Sequence, residues 1–108
     1  MPKPYLGEFE ELVLLTIAIL SDDAYGVSIQ RELEERCNRT VTIGALHSTI
    51  TRLEEKGLLT SWVGGATAER GGRSKRYYQV THAGKAMLRE LKSMRDELWA
   101  LSRISLAK

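Results

Sequence analysis

The chain is poor in cysteine and proline, has little net charge, and carries no long apolar run. Its one cysteine, Cys37, rules out an intrachain disulfide and any multi-cysteine zinc site. A free thiol fits a reducing compartment. The longest apolar stretch, Leu12–Leu20, is far shorter than the roughly 20 residues that cross a bilayer. The opening MPKPYLGEFEE places acids ahead of that stretch with no small-residue cleavage site after it, unlike a secretory signal peptide. The expectation is a soluble cytoplasmic protein without a membrane partner. Constellations for catalysis are missing as well. No carboxylate pair, metal-ligand spacing or Gly-rich loop ahead of a helix occurs, and His47 and His82 stand alone. The expectation is therefore no enzyme, no catalytic residue, no metal and no cofactor.

The formal net charge is only +2, so the total says little about nucleic acid and the distribution has to decide. Arg70, Arg73, Lys75 and Arg76 fall within seven residues, with Glu69 the one acid beside them. Acids gather elsewhere, at Glu8, Glu10 and Glu11 and at Glu32, Glu34 and Glu35.

With 108 residues there is room for one domain with one core. Residues 1–7 hold both prolines and read as an irregular arm. A helix starts near Glu8, its three acids facing the positive end of the dipole. The following LVLLTIAIL is apolar around its whole circumference, as in a helix buried on more than one side. After a break at Ser21–Asp23, a second helix runs from about Tyr25 to Cys37 with Ile29, Leu33 and Cys37 inward. Thr40-Val41 reads as a short strand. Thr42 caps a third helix, with Ile43, Leu46, Ile50 and Leu53 as its buried stripe and Gly57 at its left-handed end. Gly44, Ser48, Thr51, Arg52 and Glu55 then face outward, with Ala45 and His47 on the flanks.

Leu58–Val63 and Lys75–Val80 are strand-like, and GGATAERGGRS between them is too long and too glycine-rich for a two-residue turn. Thr81 caps a final helix running towards Ile104. There Gly84, Met87, Leu91, Met94, Leu98 and Leu101 repeat at 3-4-3-4-3 spacing, a seam suited to lengthwise helix packing.

Two elements carry chemistry. A solvated Gly/Arg turn would be unremarked alone, but this one follows a capped helix and lies between two strands. Its cations can meet phosphates or enter a minor groove. The third helix then stands where a helix-turn-helix places its major-groove reader. Ser48, Thr51 and His47 can hydrogen-bond phosphates or base edges. Arg52 lies near the far end, where an ion pair or a backbone contact suits it better than base readout.

The chain resembles the PadR family of transcriptional regulators, of the short kind with one C-terminal helix. The resemblance rests on Tyr25-Gly26, on Gly44-Ala45-Leu46-His47 with Arg52-Leu53-Glu54 and Gly57-Leu58, and on the run from Gly72 to Thr81 followed by Gly84. It covers about Leu6 to Trp99. It implies a winged-helix homodimer that represses transcription from a roughly palindromic operator. The family commonly has Tyr-Pro where this chain has His47-Ser48, so a backbone-contacting tyrosine is not carried over. The basic turn is also longer and richer in arginine than in many members.

The expected fold is mainly α with a small β-hairpin wing, a winged helix-turn-helix over 1–80 integrated with a C-terminal dimerisation helix over 81–108. The expected partners are double-stranded DNA and a second copy of the chain. DNA would be met by Thr42, Gly44, Ala45, His47, Ser48, Thr51 and Arg52 of the third helix and by Arg70, Arg73, Lys75 and Arg76 of the wing. The dimer would be joined through Leu12, Leu15, Ile19, Met87, Leu91, Met94, Leu98 and Leu101. Trp99 has two readings. One is packing; the other, implied by the resemblance, is lining an intersubunit cavity for a flat apolar effector. A winged-helix protein-interaction module without DNA binding is the remaining alternative.

Overall fold

Among the described residues, four helices and one hairpin follow in the order that the periodicity predicts. The computed structural model describes residues 6–64 and 75–104. Helix α1 spans Glu8–Leu20, α2 Gly26–Cys37 and α3 Ile43–Glu55; strands β1 and β2 span Leu59–Gly64 and Lys75–Val80, and α4 spans His82–Ser102. A single 3-10 turn, Ser21–Asp23, separates α1 from α2.

The all-apolar stretch of α1 is central because α2, α3 and β2 all pack on it. Val13, Leu14 and Ile17 are at most 1% exposed, as are Ile29, Leu33, Leu46, Ile50 and Leu53 around them. Each such burial is worth about 1.5–3 kcal/mol, whereas an exposed ion pair contributes about 0–1 kcal/mol. This interior layer, not the surface charge, holds the fold. Thr16, the polar residue within the run, donates its hydroxyl to the Leu12 carbonyl at 2.7 Å and so enters the core without an orphaned group.

The end of α3 is tied to everything around it. Gly57 takes φ 77°; its N–H bonds the Glu54 carbonyl at 2.9 Å, and the Leu58 N–H bonds the Leu53 carbonyl at 2.9 Å. That pair of bonds is a Schellman ending, with buried Leu53 and Leu58 as its apolar contact. Thr81 docks α4 onto this turn, its hydroxyl donating to the Gly57 carbonyl at 2.7 Å and its N–H to the Leu58 carbonyl at 3.1 Å. The same hydroxyl accepts from the Gly84 N–H at 3.0 Å, capping α4.

The hairpin is antiparallel, pairing Leu59 with Val80, Trp62 with Tyr77 and Gly64 with Lys75. Its third strand is reduced to an isolated bridge between Tyr25 and Tyr77, supported by the Tyr78 N–H donating to the Ala24 carbonyl at 2.9 Å. Thr40-Val41, expected as a strand, forms none. The Val41 carbonyl instead accepts from the Gln30 side chain at 2.7 Å, so that segment is held by α2.

α4 leaves the core partway along. Met87, Leu88 and Leu91 pack against the core cluster, whereas Met94, Leu98 and Leu101 are exposed. Arg95 pairs with Glu11 at 2.8 Å. The radius of gyration, 16.2 Å, exceeds the about 13 Å of a compact chain of this length, as a projecting helix requires. Among the described residues no helix is long and apolar enough to cross a membrane.

Candidate nucleic-acid interface

Helix α3 presents a polar, small-residue surface at its N-terminal end. The Thr42 hydroxyl accepts from the Ala45 N–H at 3.1 Å, which fixes the first turn. Gly44, Ala45, His47, Ser48, Thr51 and Arg52 are all exposed. Arg52 is engaged within the chain. Its Nε lies 3.5 Å from a Glu10 carboxylate oxygen, and its guanidinium donates to Thr49 at 3.2 Å. The sequence expectation of an ion-pair role fits this placement, and Arg52 braces the helix rather than leading it.

Glu10 organises that brace. It is 7% exposed, accepts from the Gly7 N–H at 2.9 Å and receives Lys56 Nζ at 3.0 Å. Burial alone would raise its pKa; the Gly7 and Lys56 hydrogen bonds, with the charges of Lys56 and Arg52, outweigh burial and hold the carboxyl below its usual range. One carboxylate thus clamps the far end of α3 onto the start of α1.

Ile43 corrects the predicted stripe. Leu46, Ile50 and Leu53 are buried, but Ile43 is 42% exposed. It is the first residue of α3, where the helix has passed the edge of the core, and it lines an open groove of about 630 Å³ with Val27, His47, Lys75 and Arg76. Of the predicted wing cations, Lys75 and Arg76 lie on β2 and are exposed; Arg70 and Arg73 lie outside the described residues. Lys75 Nζ stands 4.1 Å from the Tyr25 ring centroid, a cation–π contact that steers the ammonium to the groove. Arg76 donates to the Ser61 hydroxyl at 2.9 Å, and Ser61 donates to Glu54 at 2.9 Å. The wing base is thereby fastened to α3.

Sequence reasoning overlooked an aromatic column beneath the wing. Trp62 stacks on Tyr77 with centroids 5.6 Å apart, and Tyr77 meets Tyr25 edge-on at 5.7 Å. The signal was available: Trp62 and Tyr77 face one side of the hairpin once the register is set. Tyr78 points the other way into the core. Its hydroxyl pKa is raised by burial and by nearby Glu54, with Arg76 acting against both, so it stays neutral.

The predicted dimer residues divide in two. Leu12, Met87 and Leu91 are half-buried against the chain's own core. Leu15, Ile19, Met94, Leu98 and Leu101 are exposed at 43%, 55%, 48%, 58% and 73%. Trp99, 48% exposed, shares a shallow apolar cavity of about 210 Å³ with Leu98 and Ile104. Among the described residues no group of His, Cys, Asp or Glu is placed to hold a metal ion.

Comparison with known proteins adds to this geometry. A family model described as the transcriptional regulator PadR-like family matches residues 14–90. An uncharacterized protein of Lysinibacillus sphaericus is 32% identical over 87 residues, which cover 79% of this chain and 75% of that protein. Among solved structures, a PadR-like transcription factor of Bacteroides fragilis aligns with a TM-score of 0.71 at 27% identity, over 87% of this chain and 85% of its own. A PadR family transcriptional regulator of Eggerthella lenta aligns at 0.65 with 26% identity, over 91% and 88%.

Proposed function

The chain belongs to the PadR-like family of transcriptional regulators, a family of regulators rather than enzymes, and on that premise we propose that it represses transcription in the cytoplasm as a homodimer bound to a palindromic operator. The observation that carries this reading is the outward N-terminal half of α3 beside a groove bordered by Lys75 and Arg76. A duplex can approach the small Gly44 and Ala45 closely, while His47, Ser48 and Thr51 offer hydrogen bonds to base edges and phosphates. None of those three is a strong single-base reader such as a bidentate arginine, so sequence preference also draws on DNA shape. Arg70, Arg73, Lys75 and Arg76 supply the salt-dependent grip on flanking phosphate or minor groove.

The exposed outer half of α4, with Leu15 and Ile19 of α1, is the surface that a second copy covers. A twofold axis there sets the two α3 helices about one turn of DNA, roughly 34–36 Å, apart. In this arrangement residues 1–80 form the DNA-binding region and residues 81–108 the dimerisation helix of one integrated unit. Selecting bound fragments from random duplexes, then titrating salt, tests the reading. Enrichment of a two-part symmetric site whose affinity falls with salt is expected. Binding that ignores salt would instead favour a protein-interaction module, against which the exposed wing cations already weigh.

The cavity beside Trp99 favours a second reading, regulation by a flat apolar effector between subunits. In a Trp62→Phe protein, quenching of Trp99 fluorescence by planar aromatic compounds supports it, and no quenching removes it.

A further inference from the structure

Ile43 is a large apolar side chain on a face of α3 otherwise made of small and polar groups. It is 42% exposed at the leading end of α3, next to Gly44 and Ala45. Val27, in the first turn of α2, is 47% exposed and lines the same groove. Ile43 leans towards α2, its Cδ1 4.0 Å from where a Cβ on Gly26 would sit. The two aliphatic side chains therefore form one patch that bridges the two helices of the helix-turn-helix. Among the described residues no carboxylate lines the groove, while His47, Lys75 and Arg76 stand on its border.

That combination restricts the occupant. The cations fit a polyanion, but a phosphate gains nothing from two aliphatic side chains. The major-groove edge of DNA offers one apolar group, the C5-methyl of thymine. N-terminal residues of a recognition helix are the ones that reach base edges. We propose that Ile43, with Val27 beside it, packs on a thymine methyl in each half-site and so sets a thymine preference there. This rests on the reading that α3 enters the major groove.

Deoxyuridine pairs as thymidine does and lacks only the methyl, which makes the test direct. The full chain first selects its preferred duplex from a random pool. Each thymine of the half-site is then replaced in turn by deoxyuridine, and affinity is measured for the parent, Ile43→Val and Ile43→Ala. One thymine should stand out, its replacement weakening the parent about three- to fivefold, the worth of one buried methyl. At that position Ile43→Ala should lose most of the difference between the two duplexes, and Ile43→Val should fall between. Helical circular dichroism confirms that the variants are folded, and the parent scan stands on its own should one unfold. If no thymine shows a methyl effect in the parent, or the effect persists in folded Ile43→Ala, the proposal is overturned while major-groove reading survives. A pool that yields no preferred sequence overturns both.

Discussion

Replacing Gly44 and Gly84 by alanine, one at a time, should move stability in opposite directions, because a methyl group would meet different surroundings. At Gly44 nothing lies within 4 Å of the added Cβ. Gly44→Ala therefore gains helix propensity without a clash, stabilising by about 0.5–1 kcal/mol. At Gly84 the Cβ would sit 2.5 Å from the Leu58 carbonyl oxygen and 2.7 Å from Val80 Cγ1. The carbonyl has no room to retreat, since Leu58 is bonded on one side to Leu53 at 2.9 Å and on the other to Thr81 at 3.1 Å. Overpacking against such fixed atoms costs about 3 kcal/mol, the upper end of the usual range. The propensity gain of about 1 kcal/mol leaves roughly 2 kcal/mol of net destabilisation. For a chain of this size that is a fall in Tm of roughly 10 °C, against a rise of about 4 °C for Gly44→Ala. Thermal unfolding followed by circular dichroism reads both, at one protein concentration because association shifts Tm. A Gly84→Ala protein as stable as its parent would refute the close seating of α4 on the Leu58 turn. Gly44→Ala carries a functional readout too: the more stable protein should bind duplex DNA more weakly, since the methyl lies on the face proposed to approach it.

Three further outcomes can be measured on the same protein. Leu98→Asp with Leu101→Asp should give folded monomers by sedimentation, because both side chains are exposed in one chain and the proposed dimer would cover them; a persistent dimer would place the interface elsewhere. Arg73→Ala with Lys75→Ala should weaken binding to all sequences and flatten the salt dependence by about 0.9 for each phosphate no longer neutralised; an unchanged slope would take the wing out of the interface. Glu10 has its folded-state pKa held below the usual carboxylate range by Gly7, Lys56 and Arg52, so the unfolded chain binds more protons as the solution is acidified. Its contribution is present at neutral pH and is lost as pH falls through the lowered folded-state value. Glu10→Gln should reduce stability at neutral pH and flatten that acid limb in urea titrations; an acid limb as steep as the parent's would show that other carboxylates set it.

Periodicity made most of the architecture legible. Leu46, Ile50 and Leu53 are buried as the helical spacing requires, Thr42 and Thr81 cap the helices predicted for them, and β2 has the predicted bounds. What periodicity could not supply was the extent of the neighbouring surface. Ile43 fits the stripe by angle, yet the core ends one turn before it. The α4 seam is continuous in sequence, yet its first half serves the chain's own core and its second half is bare. Thr40-Val41 is strand-like by composition, yet the third strand position goes to Tyr25, and only long-range pairing with Tyr77 decides that. Of the candidate site, Arg70 and Arg73 lie outside the described residues; the outward face of α3 was legible, as were the exposed Lys75 and Arg76 of β2. The groove linking them was not, since it is built by residues far apart in sequence.

The two halves of α3 have different physical duties. Its C-terminal half is tied to α1 through Arg52, Lys56 and Glu10, to the hairpin through Glu54, Ser61 and Arg76, and to α4 through the Gly57-Leu58 turn. Its N-terminal half carries the exposed Ile43, Gly44, Ala45, His47 and Ser48. The proposed entry of α3 into a groove suits this division, since the entering end has to be exposed while the other end fixes its angle. The wing and α4 seat on the same last turn of α3. In the dimer proposed above, joined through the outer half of α4 and through α1, that turn would be one of the places where the spacing between the two α3 helices is set. A change in how α4 seats on that turn would, in the proposed dimer, act on half-site spacing.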